Sequence, residues 1–236
     1  MNLLYNLAIL LYTLSIRIAA LWNSKARKWI AGRENIFEEL KSKIKPEEKI
    51  VWFHCSSLGE FEQARPVIER FREKKSSYKI LLTFFSPSGY EVRKNYSGAD
   101  YIFYLPADTA ANAKQFIELI NPTLAVFAKY DFWFNYLKEL EANKIPIVVF
   151  SAVFRKEQYF FKQYGFWFRK ILSGIDAFYV QDDTSRKLLK KIGIGNVIVC
   201  GDTRYDRVMQ TAENAQQFPL LEKFRNPAKT TFIAGS

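Results

Sequence analysis

The chain has 236 residues, of which 49% are hydrophobic, so it can form a sizeable core and is neither disordered nor of low complexity. Its 35 Lys and Arg exceed its 24 Asp and Glu, which gives a net charge of +11. That excess suits an anionic partner such as nucleic acid, acidic lipid or a phosphorylated substrate, although a solvated basic surface has the same composition. One histidine and two cysteines exclude a histidine-based zinc site and a disulfide framework.

The N-terminal segment, residues 1–24, is apolar but contains Arg17. It is long enough to span a bilayer, at a cost for the buried arginine, and no signal-peptide cleavage site follows it. Basic residues beside it favour a cytoplasmic body held at the inner membrane. We predict a membrane anchor or interfacial helix, the alternative being a helix packed on its own domain. The residues predicted to lie at the membrane interface here are Trp22, Lys25, Arg27, Lys28 and Trp29.

From residue 49 onwards, short apolar runs alternate with amphipathic stretches. The predicted strands are 49–55, 78–85, 100–105, 123–129, 146–152, 176–181 and 196–201. The predicted helices are 61–74, 88–96, 109–120, 132–143, 156–172 and 183–192. This alternation predicts an α/β fold with a doubly wound, Rossmann-like parallel sheet.

We assign residues 25–208 to this Rossmann-like domain. After it the pattern loosens, and a further apolar run begins at residue 229, so residues 209–236 are expected to be a linker and the first strand of a truncated second domain. Cys55 and Cys200 both lie in strand-like runs and are predicted to be buried. His54 lies in the first of these runs and is predicted to be a hydrogen-bonded core residue.

Ligands of an open parallel sheet bind beyond the carboxyl ends of its strands, where this chain places polar turns. In "HCSSLGE", Ser56 and Ser57 can donate hydrogen bonds, Gly59 allows close approach of the backbone, and Glu60 could either cap the next helix or act as a base. The turn "FSPSG" offers Ser86 and Ser88 for binding an anion or for capping a helix. Neither turn has the full glycine pattern of a dinucleotide site or a P-loop.

Two later turns carry charge. "AKYDFWFN" contains Lys129 and Asp131, which could form a salt bridge at a helix start. In "GDTRYDR", Arg204 lies between two aspartates, where a structural ion pair and a phosphate contact are equally plausible.

Residues 154–170 interleave eight aromatic residues with basic ones, beginning with Arg155. The rings nearly encircle the predicted helix, which suits either a membrane interface or the stacking of single-stranded nucleic acid. Because an apolar segment begins the chain, we favour the membrane and expect no nucleic-acid partner. The residues predicted to lie at this interface are Phe160, Phe161, Phe166 and Trp167.

Taken in order, these turns resemble the Kdo (3-deoxy-D-manno-octulosonic acid) transferase family of lipopolysaccharide and lipid A biosynthesis. "WFHCSSLGE" is similar to that family's W-x-H-x-x-S-x-G-E signature, and "YLPAD" to its Leu-Pro-x-Asp turn. "QDDTSRKLLKKIG" followed by "VIVCGDTRYD" resembles its Gln…Arg…Gly and Gly-Asn-x-Lys-Phe-Asp elements. Any one motif is weak, but the ordered set spans essentially the whole chain.

The resemblance implies a two-domain glycosyltransferase B fold, of which this chain would be the acceptor-binding, N-terminal half. It implies inverting, metal-independent transfer of Kdo from CMP-Kdo to a lipid A precursor at the cytoplasmic face of a Gram-negative inner membrane. CMP-Kdo would bind mainly to the missing C-terminal domain, so the fragment alone is expected to be inactive.

The family's roles carry over onto some residues of this chain. The resemblance implies that Glu60 is the general base and that Arg204 replaces a lysine near the leaving group. Where the family has Glu-Thr-Glu, this chain has Lys129 and Asp131, so Asp131 could inherit only part of a catalytic role. Residues expected to bind acceptor are Ser56, Ser57, Gly59, Ser86, Ser88, Lys129 and Arg155. The alternatives are a glycosyltransferase B enzyme with another nucleotide-sugar donor and a non-catalytic module binding anionic lipid or RNA.

Overall fold

The computed structural model describes residues 2–129 and 131–213, and it arranges them as helices around one parallel sheet. The strands are β1 Ile50–Cys55, β2 Lys79–Phe84, β3 Tyr101–Tyr104, β4 Leu124–Ala128, β5 Ile147–Ala152, β6 Ala177–Val180 and β7 Val197–Val199. The helices are α1 Asn2–Ala19, α2 Ser24–Ala31, α3 Ile36–Lys43, α4 Leu58–Lys74, α5 Pro87–Arg93, α6 Ala110–Ile120, α7 Phe134–Ala142, α8 Phe166–Ser173, α9 Asp183–Lys191 and α10 Arg204–Glu213.

The strand order is β3-β2-β1-β4-β5-β6-β7, and every neighbouring pair is parallel. This confirms the predicted doubly wound, Rossmann-like sheet. The chain winds outwards from β1 to β3 and then returns to place β4 on the other side of β1. The topological switch point, where ligands of such sheets bind, therefore lies between the carboxyl ends of β1 and β4.

Both faces of the sheet are covered, so its central strand reads as a continuous apolar run. All six residues of β1 are buried, and successive side chains alternate between two cores. Trp52 packs edge-to-face against Phe116 and Phe127 on one side, while Phe53 contacts Phe71 of α4 on the other. A sheet held from both faces gives the turns at its carboxyl edge a rigid base.

Three parts of the helix prediction differ from the structure. The helices α2 and α3 were not predicted, and α10 occupies part of the region in which the pattern loosens. The predicted helix 156–172 is instead two 3-10 turns, Tyr159–Phe161 and Gln163–Gly165, followed by α8. The chain turns so tightly there that a Cβ on Gly165 would collide with the carbonyl oxygen of Tyr159. The predicted strand 229–236 lies outside the described residues, and the domain boundaries stay predictions.

The prediction for the cysteines is half right. Cys55 is fully buried in β1, as predicted, whereas Cys200 is exposed. The reason is that Cys200 follows β7, the edge strand of the described sheet, whose Ile198 and Val199 are also 52% and 36% exposed.

Helix α1 packs along the body of the domain through one face. Tyr5 donates a hydrogen bond of 2.5 Å from Oη to Asp108 Oδ2, and its ring contacts Phe134 and Trp167. The opposite face is apolar and uncovered by the described residues. Its exposed members are Leu3, Leu4, Leu7, Leu10, Leu11, Leu14 and Ile18. None of the helices in the described ranges combines the length and the apolarity needed to cross a bilayer.

The prediction of a membrane-interface position is wrong for two aromatic residues. Trp29 is only 6% exposed and packs on Phe85, and Phe160 is only 2% exposed in the main core. Tertiary packing uses these rings because they belong to the inward faces of α2 and the first 3-10 turn. Phe161 and Trp167 are half-buried against the core and α1. The remaining predicted interface residues are exposed, namely Trp22, Lys25, Arg27, Lys28 and Phe166.

Candidate active site at the carboxyl edge of the sheet

The turns after β1 and β4 bring two carboxyl groups together at the switch point. Glu60 lies in the first turn of α4, and its Oε2 accepts a hydrogen bond of 2.8 Å from the backbone N of Ser57. Asp131 precedes α7, and its Oδ2 accepts a hydrogen bond of 3.2 Å from the backbone N of Ser56. Adjacent amides of one turn thus hold both carboxyl groups, and Glu60 does cap its helix.

These carboxyl groups interact strongly. Burial, the negative charge of Glu60 and a hydrogen bond with the Glu60 side chain together raise the pKa of Asp131 to about 7, although Ser56 opposes the shift. Two carboxylates this close do not both ionise readily, so the buried partner retains a proton near neutral pH. A protonated Asp131 can donate that hydrogen bond to Glu60. Glu60 is itself half-exposed, so its carboxylate can take a proton from a bound molecule.

His54 forms the floor of the site and is locked in one tautomer. Trp133 Nε1 donates to His54 Nε2 at 3.0 Å, so the proton is on Nδ1, which lies 2.9 Å from Thr83 Oγ1. Thr83 also accepts a hydrogen bond of 2.8 Å from Trp52 Nε1. Burial, assisted by the charge of Arg33, lowers the pKa of His54 to about 3. The predicted core role of His54 is confirmed.

The β2–α5 turn abuts the β1–α4 turn. Ser86 Oγ accepts a hydrogen bond of 3.2 Å from Ser88 N and caps α5, while Ser86 N donates to Ser56 O at 2.8 Å. Gly89 is required here, because a Cβ would collide with the Phe84 ring and stand 3.1 Å from the carbonyl carbon of Ser57. A Cβ on Gly59, in contrast, would meet only Ser57 Oγ, at 4.0 Å. The two serine-rich turns form one continuous surface.

The predicted basic residues lie farther along the same edge. Lys129 follows β4 and Arg155 follows β5; within the described ranges, neither forms an ion pair. Arg204 is paired with Asp202, whose Oδ2 accepts hydrogen bonds of 2.9 and 2.6 Å from Nε and Nη2. The structural ion pair predicted as one option for Arg204 is therefore present.

Two residues that shape the site were not singled out from the sequence. Buried Asp108, the last residue of "LPAD", accepts hydrogen bonds from the backbone N of Asn135 and of Tyr136 and so caps α7. Arg33 is half-buried among aromatic rings, with its guanidinium 3.8 Å from the centre of the Trp29 ring, and donates to the carbonyls of Trp29, Phe85 and Leu105. The signal for Asp108 was its place in the quoted motif, but the hydrogen-bond partners of Asp108 and Arg33 could not be read from the sequence.

The chain is similar to known glycosyltransferases. The family model described as 3-Deoxy-D-manno-octulosonic-acid transferase (kdotransferase) matches residues 32–207. A 3-deoxy-D-manno-octulosonic acid transferase of Chlamydia pneumoniae is 26% identical over 218 residues, covering 89% of this chain and 48% of that protein. A bifunctional glycosyltransferase/methyltransferase of Fusobacterium nucleatum is 27% identical over 245 residues, covering 100% of this chain and 36% of that protein.

Solved structures confirm the fold class. A UDP-GlcNAc 2-epimerase from Neisseria meningitidis superposes with a TM-score of 0.52 at 18% identity, covering 71% of this chain and 50% of that one. This likeness shows the fold alone, a doubly wound sheet of the kind that forms the N-terminal half of a glycosyltransferase B fold. The chain spans about half the length of the curated relatives it matches. With the family model covering most of its length, the chain belongs to the 3-deoxy-D-manno-octulosonic-acid transferase family.

Proposed function

We propose that the full-length protein is an inverting glycosyltransferase that moves Kdo from CMP-Kdo to a hydroxyl of a lipid A precursor. The described residues would supply the acceptor-binding half, and CMP-Kdo would bind largely to a second domain. The proposal rests on the family and on one observation, the Glu60–Asp131 carboxyl pair at the switch point of the sheet. Without a second domain, we expect this half to bind acceptor and not to catalyse transfer.

The pair suits the removal of a proton from an acceptor hydroxyl. As the hydroxyl oxygen attacks the anomeric carbon of Kdo, Glu60 takes the proton, the new glycosidic bond forms, and the bond to the CMP phosphate breaks with both electrons leaving on CMP. Asp131, protonated by its burial, orients Glu60 by hydrogen bonding.

The departing CMP carries negative charge, which a nearby cation would stabilise in the transition state. Arg204 is exposed at the start of α10 and could supply it, although its pairing with Asp202 already neutralises part of its charge. We expect no metal or other cofactor to be needed for this step.

Replacing Glu60 tests the assignment directly. In the full-length protein, Glu60→Gln keeps an oxygen for the Ser57 hydrogen bond but cannot accept a proton. We expect transfer to fall by about 10²–10⁴-fold, the usual contribution of a general base. The measurement is the rate of Kdo transfer to acceptor, together with acceptor affinity and melting temperature.

A matched control is Glu73→Gln, which changes an exposed glutamate of the same helix that pairs with Arg70. It should leave both the rate and the affinity unchanged. Turnover by Glu60→Gln within threefold of the wild type, in a protein that binds acceptor, would remove Glu60 as the base.

We propose further that the protein lies on the cytoplasmic face of an inner membrane. The support is the uncovered apolar face of α1, continued by Leu21 and Trp22, which are 77% and 70% exposed. Exposed Lys25, Arg27 and Lys28 follow directly and could contact anionic lipid headgroups. A surface of this kind would hold the acceptor-binding edge close to a lipid substrate.

A further inference from the structure

Beside the carboxyl pair is a second concave region, which we call the Lys129 cavity. It measures about 560 Å³ and is lined by ends of β4, β5 and β6, including Lys129, Ser151, Arg155 and Gln181. Because Lys129 is two residues from Asp131, the cavity continues the active edge rather than forming a separate face. A sugar substrate bound at Glu60 could therefore place one of its groups in this cavity.

The charges around the Lys129 cavity do not cancel. Of its lining residues, Arg204 is neutralised by Asp202, and the one carboxylate, Asp182, caps α9 by accepting a hydrogen bond of 2.7 Å from Ser185 N. Lys129 and Arg155 have no carboxylate partner among the residues that the structure describes. Two uncompensated cations in one concavity are suited to an oxyanion.

The backbone of the cavity is also unusual. Lys129 and Ser151 both have positive φ, 62° and 54°, although neither is glycine. Ser151 forms a bulge between Phe150 and Ala152, and Gln181 Nε2 holds it by hydrogen bonds to its carbonyl and hydroxyl oxygens. Strained residues and bulges re-aim side chains at functional sites. Here both lie at the carboxyl ends of neighbouring strands and line the same cavity.

We propose that Lys129 and Arg155 bind an oxyanion, a carboxylate or a phosphate, of a sugar substrate of the Glu60–Asp131 site. This proposal rests on the proposed function for the identity of that substrate, but not for the existence of the anion site. A carboxylate would come from a sugar acid and a phosphate from a phosphorylated sugar. The lysine specifies charge, and the guanidinium can form two parallel hydrogen bonds.

Titration of the full-length protein with two probes distinguishes a carboxylate from a phosphate ligand. The carboxylate probe is 3-deoxy-D-manno-octulosonic acid, and the phosphate probe is glucosamine 1-phosphate. Calorimetry should show at least one of them binding in competition with salt. Lys129→Gly and Arg155→Ala should each weaken that probe at least tenfold. The weakened probe identifies the group that the site holds.

Glycine is chosen at position 129 because it keeps the positive φ, so Lys129→Gly should melt no lower than the wild type. The matched control is Lys144→Gly, since Lys144 is an exposed lysine with φ of 55° that does not line the cavity. It should keep full affinity for both probes.

The proposal is overturned if neither probe binds the wild type at millimolar concentration, or if both variants bind both probes as the wild type does. Glu60→Gln distinguishes this failure from that of the proposed function. If Glu60→Gln retains turnover while Lys129→Gly loses a probe, the base assignment fails and the anion site stands. If Glu60→Gln loses turnover while the probes bind every variant equally, the reverse holds.

Discussion

At the scale of single residues, Asp131 shows how burial assigns two roles to two similar groups. The folded protein raises its pKa from the ordinary 3.8 to about 7, chiefly by burial and next by the charge of Glu60. The native state therefore binds a proton more tightly than the unfolded chain. The stability linked to this proton is fully present below about pH 4 and is lost as the pH rises towards 7.

Asp131→Asn should consequently stabilise the protein at alkaline pH. An asparagine cannot ionise, yet its oxygen can still accept from Ser56 N, and its amide can donate to Glu60. We expect a melting temperature several degrees above the wild type at pH 8, at roughly 2–4 °C per kcal/mol, and little difference at pH 4.5. Thermal denaturation at the two pH values measures this.

Asp183→Asn is a suitable control, because Asp183 is exposed and pairs only with Arg186 of its own helix among the described residues. Its effect should be small and the same sign at both pH values. An Asp131→Asn protein that melts below the wild type at pH 8 would show that folding does not raise the pKa of this carboxyl group.

The sequence predicts Glu60 and Asp131 as individual candidates, because each follows an apolar run and a turn. It does not predict their shared proton. That depends on β4 returning to the side of β1, which brings together residues 71 positions apart and removes water from one of them. Asp108 is similar, since its partners on α7 and α1 are set by tertiary packing.

At the scale of elements, Asp108 joins three segments. It caps α7, which is 25 or more residues further along the chain, and it holds α1 through Tyr5. Asp108→Ala should leave these donors unpaired in a buried setting, at a cost of about 2–4 kcal/mol. The measurements are chemical denaturation and hydrogen exchange, which should report faster exchange in the first turn of α7.

Tyr5→Phe separates the two functions of that carboxyl group. It removes the hydroxyl that donates to Asp108 and accepts from Phe134 N, but it keeps the ring contacts with Phe134 and Trp167. The amides of Asn135 and Tyr136 stay capped by Asp108. It should cost about 1 kcal/mol and leave exchange of the Asn135 and Tyr136 amides unchanged. Equal stability of Asp108→Ala and the wild type would show that the cap is dispensable.

Strands are predictable in this chain because their apolar runs are short and bounded by polar turns. The structure of region 156–172 could not be predicted in the same way. Its aromatic pattern is that of a helix, but a close backbone approach at Gly165 interrupts the helix. Similarly, α2 is short and basic, and much of its packing comes from Trp29 and Arg33 fitting against the ends of β2 and β3. Such contacts have no local periodicity.

At the scale of the molecule, the apolar face of α1 should dominate membrane binding. Leu10 and Leu14 are 58% and 52% exposed, and burial of a leucine contributes about 1.5–3 kcal/mol. Leu10→Glu combined with Leu14→Glu in the full-length protein should weaken binding to vesicles containing phosphatidylglycerol more than tenfold. Flotation of protein with vesicles measures the bound fraction.

The control is Val92→Glu, which changes a 56% exposed apolar residue of α5 and should leave flotation unchanged. With a net charge of +11, the wild type should also float less with neutral vesicles and at high salt. Undiminished flotation of the double variant would place the contact elsewhere on the protein.

The locked imidazole of His54 has a thermal consequence. His54 is the chain's one histidine, and it stays neutral far below physiological pH. The side chains of the described residues that take up protons near neutral pH are therefore two carboxyl groups. These are Asp131 and Asp108, whose pKa values are raised to about 7 and about 6. Carboxyl groups ionise with little heat, whereas imidazoles ionise with a large enthalpy. The pH response of this half of the protein should therefore change little with temperature.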